Sequence, residues 1–193
     1  MSYPPQPWHL VADAHLSLWR VPAKEIPADA LAVAGQTTVV TAWVSYREPG
    51  RLSYHELLAA VPVRGKRTSC TITQIWVDSE VSRDGGRELW AIPKDLATLA
   101  FTDRTFTAAT EDGWIATAAF SRRLGLPLTL PSKFDVVQDR DGTLLRTPVA
   151  AKIRPRPAAA DWTFNPTGPL GYLAHRRPAA SFELPASELR FGA

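Results

Sequence analysis

The sequence is poor in cysteine. Cys70 is the only cysteine in 193 residues, so the chain cannot form an internal disulfide or a cysteine-rich metal site. Cys70 lies in a strand-like stretch between Ser69 and Thr71, which favours a small buried residue over a nucleophile. The four histidines show no spacing typical of metal ligands. We therefore expect no metal site. The sequence also lacks a P-loop and a dinucleotide fingerprint, and we expect no cofactor.

Strong charge and long apolar runs are absent as well. The formal net charge is +3, and the densest basic cluster, Arg154 to Arg156, is too small to follow a phosphate backbone. No apolar run approaches the roughly 20 residues that span a bilayer. The first seven residues lack the basic start and apolar core of a secretion signal. We expect a cytoplasmic protein without nucleic-acid or membrane partners.

The composition is that of a folded chain, with 45% hydrophobic and 21% charged residues. A chain of this length is most simply one domain, residues 1–193. The 17 prolines interrupt long helices, and alternation typical of strands is the commoner pattern. Strands are predicted at residues 15–21, 37–46, 56–63 and 68–78, and in two hairpins with Asp-Gly turns, 101–110 with 114–122 and 134–138 with 143–153.

Within residues 68–78, alternation predicts that Ile72, Gln74 and Trp76 share one face. Both faces carry β-branched or aromatic residues, so both are expected to be covered. Short helices are predicted at 28–34, 79–90 and 168–175, and residues 155–160 are predicted to be a loop. Gly85 and Gly86 weaken the second helix by about 1 kcal/mol each. Many strands without a βαβ rhythm favour a closed barrel or a sandwich.

The most informative stretch is residues 86–97. It places Lys94 among apolar residues, with Trp90 and Ile92 before it and Leu96 after it. A desolvated lysine reaches its neutral form more easily, and a neutral amine can attack a ketone to form a Schiff base. The alternative is a lysine on the surface of a polar loop.

Two segments carry a family resemblance. Gly-Arg-Glu-Leu at 86–89, followed after three residues by Pro93 and Lys94, resembles the active-site segment of acetoacetate decarboxylases, in which the lysine after the proline forms the imine. Residues 54–63 are similar to the family's Tyr-x-Glu and the apolar run ending in Pro-Val. The resemblance implies a mainly β (α+β) fold, an antiparallel cone-like β-barrel with a few short helices and an internal pocket. It also implies a homo-oligomer.

The resemblance implies catalytic roles for Lys94 and Glu56, the family's pocket glutamate. Arg87 matches the family motif and would bind a substrate carboxylate in two-pronged fashion, although a purely structural ion pair is an equal alternative. Trp90 would line the pocket or simply belong to the core. Asp95 would contact the substrate as a general acid or base, or else cap a helix or face solvent.

Three positions depart from the family pattern. Asp95 replaces a second lysine, and a carboxylate there would favour the charged form of Lys94. Ala12 or Asp13 stands where the family has an arginine, and Thr41 where it has a second acidic residue. These changes leave imine chemistry possible but leave the handling of a carboxylate open.

The sequence thus predicts a cofactor-independent lyase that forms a Schiff base between Lys94 and a small keto acid. Decarboxylation of a β-keto acid, aldol cleavage and dehydration all use the same imine as an electron sink. The alternative is a barrel that binds a small molecule without chemistry.

Overall fold

The computed structural model describes residues 3–26, 36–63, 68–125 and 128–192. Strands dominate this part of the chain, accompanied by one α-helix and two 3₁₀ turns, Ala23–Glu25 and Gly171–Leu173. The elements are β1 (Trp8–Pro22), β2 (Gln36–Arg47), β3 (Tyr54–Pro62), β4 (Ser69–Val77), α1 (Glu80–Trp90), β5 (Lys94–Leu96), β6 (Thr98–Thr102), β7 (Thr105–Thr110), β8 (Gly113–Arg122), β9 (Leu130–Arg140), β10 (Thr143–Ile153), β11 (Arg156–Phe164) and β12 (Ala180–Phe191).

Seven of the strands close into a barrel in the order β1-β2-β3-β4-β9-β10-β12, with β12 pairing back onto β1. Neighbouring strands in the barrel are antiparallel except β4 and β9, which pair in parallel at Ser69 and Cys70. Closure pairs both edges of the sheet, which is one way that β proteins avoid exposed strand edges. The predicted mainly β barrel is confirmed.

A second sheet branches from the barrel at β12. The first part of β12 pairs with β11, and the sheet continues through β8 and β7 to β6. The branch lies close to an irregularity, since Ala186 has a φ of +46° and the β1–β12 register shifts between Ala12 and Ala14. Such bends and bulges allow one strand to serve two sheets.

The barrel wall separates two apolar regions. On β3, Leu57 and Ala59 point outward into a core shared with Trp43 and the second sheet. Glu56 and Leu58 point inward to the barrel interior. Because successive side chains of a strand face opposite sides, Glu56 shares the inner face with Leu58 and Ala60.

A β-bulge in β4 overturns one prediction. Consecutive residues of β3 pair with Gln74 and Ile72, which leaves Thr73 as the extra residue. Beyond the bulge the alternation is reversed, so Ile72 and Ile75 both face the interior, whereas Trp76 joins the outer core. The predicted common face for Ile72 and Trp76 was therefore wrong.

The remaining strand predictions hold except at two places. The predicted strand 101–110 is split into β6 and β7 by a turn in which Asp103 has a φ of +52°. The predicted loop 155–160 is the beginning of β11, where a run of alanines gives only a weak strand signal. The helix predicted at 28–34 lies outside the described residues.

Candidate active site

The barrel encloses a cavity of about 360 Å³. Its wall is mostly aliphatic and aromatic, and its few polar side chains include a lysine and a glutamate. The polar lining residues are Tyr46, Tyr54, Glu56, Cys70, Lys94, Ser132 and Ser187. Pockets of this kind, apolar with a few convergent polar groups, are typical of sites for small molecules.

Helix α1 packs against the barrel and contacts the lysine. The Ser79 side chain caps the helix by accepting a hydrogen bond from the Ser82 N–H at 3.3 Å. Gly85 and Gly86 are buried. An added Cβ would lie 2.6 Å from the Trp8 ring at Gly85 and 2.7 Å from Lys94 Cδ at Gly86. The two glycines that weaken the helix are thus required by its close contact with Trp8 and Lys94. The predicted helix is confirmed.

The chain turns sharply after the helix. Ala91 is in the left-handed region with a φ of +55°, and its N–H donates to the Arg87 carbonyl, while the Ile92 N–H donates to the Gly86 carbonyl. This pair of bonds satisfies carbonyls at the helix end. The chain then enters β5, where Lys94 pairs in parallel with Ile75 of β4. The turn and this pairing direct the Lys94 side chain into the barrel.

Lys94 is fully engaged at the polar end of the cavity. Its Nζ donates to Glu56 Oε2 at 2.9 Å, to Ser82 Oγ at 2.9 Å and to Tyr54 Oη at 3.3 Å. The lysine and glutamate side chains are only 5% and 3% exposed. The other oxygen of Glu56 accepts from the Tyr46 hydroxyl at 3.3 Å. All three ammonium protons therefore have an acceptor.

The electrostatics of this cluster differ from the expectation for an isolated buried lysine. Burial alone lowers the pKa of Lys94, but the Glu56 carboxylate and the Tyr54 hydroxyl outweigh it and raise that pKa above its ordinary value. Burial also raises the pKa of Tyr54 to about 12, although Lys94 opposes this shift. The cluster at rest is thus an ammonium–carboxylate pair with neutral tyrosines. Desolvation does not by itself activate Lys94.

Comparison with known proteins decides the family. Residues 4–133 match the family model described as Acetoacetate decarboxylase (ADC), which is more than half of the chain. The chain belongs to the acetoacetate decarboxylase family. The resemblance of the two sequence segments is thereby confirmed. No curated protein matches the chain significantly.

Solved structures agree on the fold. Acetoacetate decarboxylase from Legionella pneumophila subsp. pneumophila str. Philadelphia 1 is 16% identical, with a TM-score of 0.73, over 100% of this chain and 87% of that chain. An acetoacetate decarboxylase-like enzyme from Sphingomonas wittichii RW1 is 14% identical, with a TM-score of 0.67, over 98% and 92%. The enduracididine biosynthesis enzyme MppR, solved in complex with pyruvate, is 16% identical, with a TM-score of 0.63, over 98% and 89%. At these identities the likeness shows the fold alone.

Arg87, which matches the family motif, and Asp95, which departs from it, lie outside the cavity. They form an ion pair with each other, and their side chains are 49% and 65% exposed. Arg87 Nε also donates to the Lys94 carbonyl at 2.6 Å, so the guanidinium contacts the backbone of the lysine rather than the cavity. Direct contact of either side chain with a substrate stays a prediction.

Trp90 lines the cavity and packs edge-on against Trp8, with ring centroids 4.7 Å apart.

The other positions that depart from the family pattern differ in whether they reach the cavity. Ala12 lines the cavity and contributes no charge. Asp13 lies outside and pairs with Arg47 at 2.9 Å. Thr41 accepts a hydrogen bond from Trp19, away from the cavity.

Two contacts of Lys94 were not assigned from the sequence. Tyr54 precedes Glu56 by two residues, so strand periodicity could have placed it on the same inner face. Ser82 precedes Gly86 by four residues, which puts both on the helix face that touches the lysine.

Across residues 3–26, 36–63, 68–125 and 128–192, no cluster of three His, Cys, Asp or Glu side chains is arranged to hold a metal. No helix in those ranges is long and apolar enough to cross a membrane.

Proposed function

We propose that this protein is a cofactor-independent lyase that forms a Schiff base between Lys94 and a keto acid, and that its main reaction is decarboxylation of a β-keto acid. The observation that carries the proposal is the buried contact of Lys94 Nζ with Glu56, 2.9 Å apart at the polar end of the cavity. Among the described residues that line the cavity, Lys94 is the only one with a basic side chain.

The first step is a proton transfer from Lys94 to Glu56. At rest the charged pair is favoured, but the two groups are in contact at the end of an apolar cavity, and a substrate that fills the cavity makes the uncharged pair accessible because a charge there is costly. The transfer produces a neutral amine beside a neutral carboxylic acid. The amine then attacks the ketone carbon, and the resulting alkoxide takes the proton of the new N–H⁺ group to give a carbinolamine.

Glu56 then acts as a general acid. Its proton passes to the carbinolamine hydroxyl, which leaves as water, and a protonated imine remains beside the Glu56 carboxylate. The bond from the α-carbon to the substrate carboxylate breaks, carbon dioxide leaves and the electron pair flows into the imine to form an enamine. One proton from solvent, delivered through Glu56, protonates the α-carbon. Water finally hydrolyses the imine, which releases the ketone and restores Lys94.

Arg87 and Asp95 support this chemistry from outside the cavity. Because Arg87 holds the Lys94 carbonyl and is itself held by Asp95, we assign the two side chains to positioning the lysine backbone. Aldol cleavage and dehydration would need the same imine and differ only in the bond that breaks. Among decarboxylation, aldol cleavage and dehydration, membership of the acetoacetate decarboxylase family favours decarboxylation.

A second candidate is a barrel that binds a small molecule without reacting with it. The raised pKa of Lys94 favours this candidate, since a stable ammonium is not a nucleophile. The two candidates are separated by covalent chemistry at the lysine.

The experiment is reductive trapping with cyanoborohydride in the presence of a panel of β-keto and α-keto acids, followed by peptide mass mapping. We expect an adduct on Lys94, and none in a Lys94→Met variant. Lys152→Met is the matched control, because Lys152 is a strand lysine paired with a glutamate but 68% exposed. This variant should be trapped at Lys94 as in the parent. Absence of a Lys94 adduct with every acid, from pH about 6 to about 10, would refute the proposal and favour the binding barrel.

A further inference from the structure

We propose that the substrate is a keto acid with one carboxylate and an apolar tail, on the order of a dozen non-hydrogen atoms in all, and that the tail lies along the inner face of β3. This inference rests on the proposed function and names the substrate class of the same site.

The side chains that line the cavity carry one positive and one negative charge. Lys94 and Glu56 are the only side chains with a full charge among the described residues that line it, and they neutralise each other. The imine keeps the single positive charge of the cavity at Lys94 Nζ, where Glu56 and one substrate carboxylate already share it. A second carboxylate would be buried without a counter-ion, and an unpaired buried charge is strongly disfavoured.

The cavity is larger than a molecule of acetoacetate. Its volume of about 360 Å³ corresponds to about a dozen non-hydrogen atoms, if each takes roughly the 30 Å³ that a water molecule occupies in the liquid. Acetoacetate would leave about half of this space empty. The remaining wall consists of aliphatic and aromatic side chains, which favour a hydrocarbon over water.

The cavity runs from a buried polar end to a partly exposed apolar end. At the polar end, Glu56 and Lys94 are 2% and 4% exposed. Ala60, four residues further along β3 on the same inner face, lies roughly 13 Å beyond Glu56 at the usual rise of a strand. At this end of the cavity the lining residues Val40, which pairs with Ala60, and Leu16, which is level with Leu58, are only partly buried. A ligand therefore enters with its carbonyl first and leaves its tail toward Leu16 and Val40.

The test compares acetoacetate, 3-oxohexanoate and 3-oxooctanoate by the rate at which cyanoborohydride traps each on Lys94 at subsaturating concentration. Burial of each added methylene should raise the rate about fourfold, or about 200-fold from the first acid to the last. A fourth compound, 3-oxoadipate, has the chain length of 3-oxohexanoate but a second carboxylate. It should be trapped at least about tenfold more slowly than 3-oxohexanoate.

Ala60→Phe shortens the cavity at the tail. The ratio of 3-oxooctanoate to acetoacetate trapping should fall by about tenfold or more in this variant, because the ring occupies space for several methylenes. Ala150→Phe is the matched control, since Ala150 is an exposed strand alanine on β10. The ratio of 3-oxooctanoate to acetoacetate trapping in Ala150→Phe should equal that of the parent. The chain-length series and the 3-oxoadipate comparison use the parent protein, so they decide the question even if Ala60→Phe fails to fold.

The outcomes separate the two proposals. The proposed substrate class would be wrong if acetoacetate were trapped on Lys94 as fast as the longer acids, or 3-oxoadipate as fast as 3-oxohexanoate. Either result would still support the Schiff base at Lys94. If no acid is trapped, the proposed function fails, and quenching of tryptophan fluorescence by 2-heptanone and 2-nonanone then decides the tail site. Tighter binding of the longer ketone supports the site, and binding of neither overturns it.

Discussion

The buried pair of Lys94 and Glu56 makes a sharp prediction about stability. Removal of one partner leaves the other charge in an apolar cavity, whereas removal of both leaves no charge to solvate. We therefore expect Lys94→Met and Glu56→Met each to destabilise the protein, and the double variant to be close to the parent. Methionine suits both positions because it is unbranched and adapts to irregular space.

The magnitudes follow from the burial of the pair. With side chains 5% and 3% exposed, loss of one partner should lower the free energy of unfolding by about 3–5 kcal/mol. For a chain of this size that is a fall in Tm of about 6–20 °C. The double variant should lie within about 3 kcal/mol of the parent, because a matched apolar pair often replaces a buried ion pair without loss. Its remaining cost is the hydrogen bonds that Tyr46, Tyr54 and Ser82 give up, about 1 kcal/mol each.

Urea unfolding at pH 7, followed by tryptophan fluorescence, measures all three variants. The control is Lys152→Met, which breaks the exposed contact with Glu188 and should cost no more than about 1 kcal/mol. A double variant that loses the sum of the two single losses, about 6–10 kcal/mol, would contradict the reasoning. So would a Lys94→Met variant as stable as the parent, because the carboxylate would then have a partner other than the lysine.

Two further predictions concern the reactivity of Lys94. Gly86→Ala places a Cβ 2.7 Å from Lys94 Cδ and displaces the lysine, so the rate of reductive trapping should fall about tenfold or more, even though alanine favours a helix. An unchanged trapping rate would contradict the contact between the helix and Lys94. Because Glu56 raises the pKa of Lys94, trapping in the parent should increase with pH. Glu56→Gln should move this increase to lower pH, since burial is then opposed by Tyr54 only. Trapping rates from pH about 6 to about 10 measure the effect, and a move to higher pH would be evidence against it.

Lys94 and Glu56 could each be proposed as a site residue because each belongs to a sequence segment that resembles a family motif. The structure brings Lys94 Nζ and Glu56 Oε2 within 2.9 Å at the cavity, and their catalytic roles stay a prediction. The raised pKa of Lys94 could not be predicted in the same way. It depends on the distance between two side chains from distant parts of the chain, and sequence patterns carry no distances.

The errors have local physical causes. The bulge at Thr73 adds one residue to β4 and reverses the faces after it, and a single extra residue leaves no mark on an alternating pattern. Arg87 was assigned to the substrate because it matches the family motif, and its contact with a substrate stays a prediction. Its guanidinium donates to the Lys94 carbonyl, a contact between the helix and the strand after it that no local sequence pattern predicts.

The two sides of the barrel differ in what supports them from behind. The cavity wall formed by β1–β4 is backed by the second sheet, so a change at Leu58 also disturbs a packed core. The wall formed by β9 and β10 has exposed residues behind it, such as Lys133 and Ala150. A larger or smaller side chain at Val149, which lines the cavity from β10, can be accommodated by movement of the strand toward solvent. We therefore expect ligand preference in this barrel to diverge through β9 and β10, while the half that carries Glu56 stays fixed.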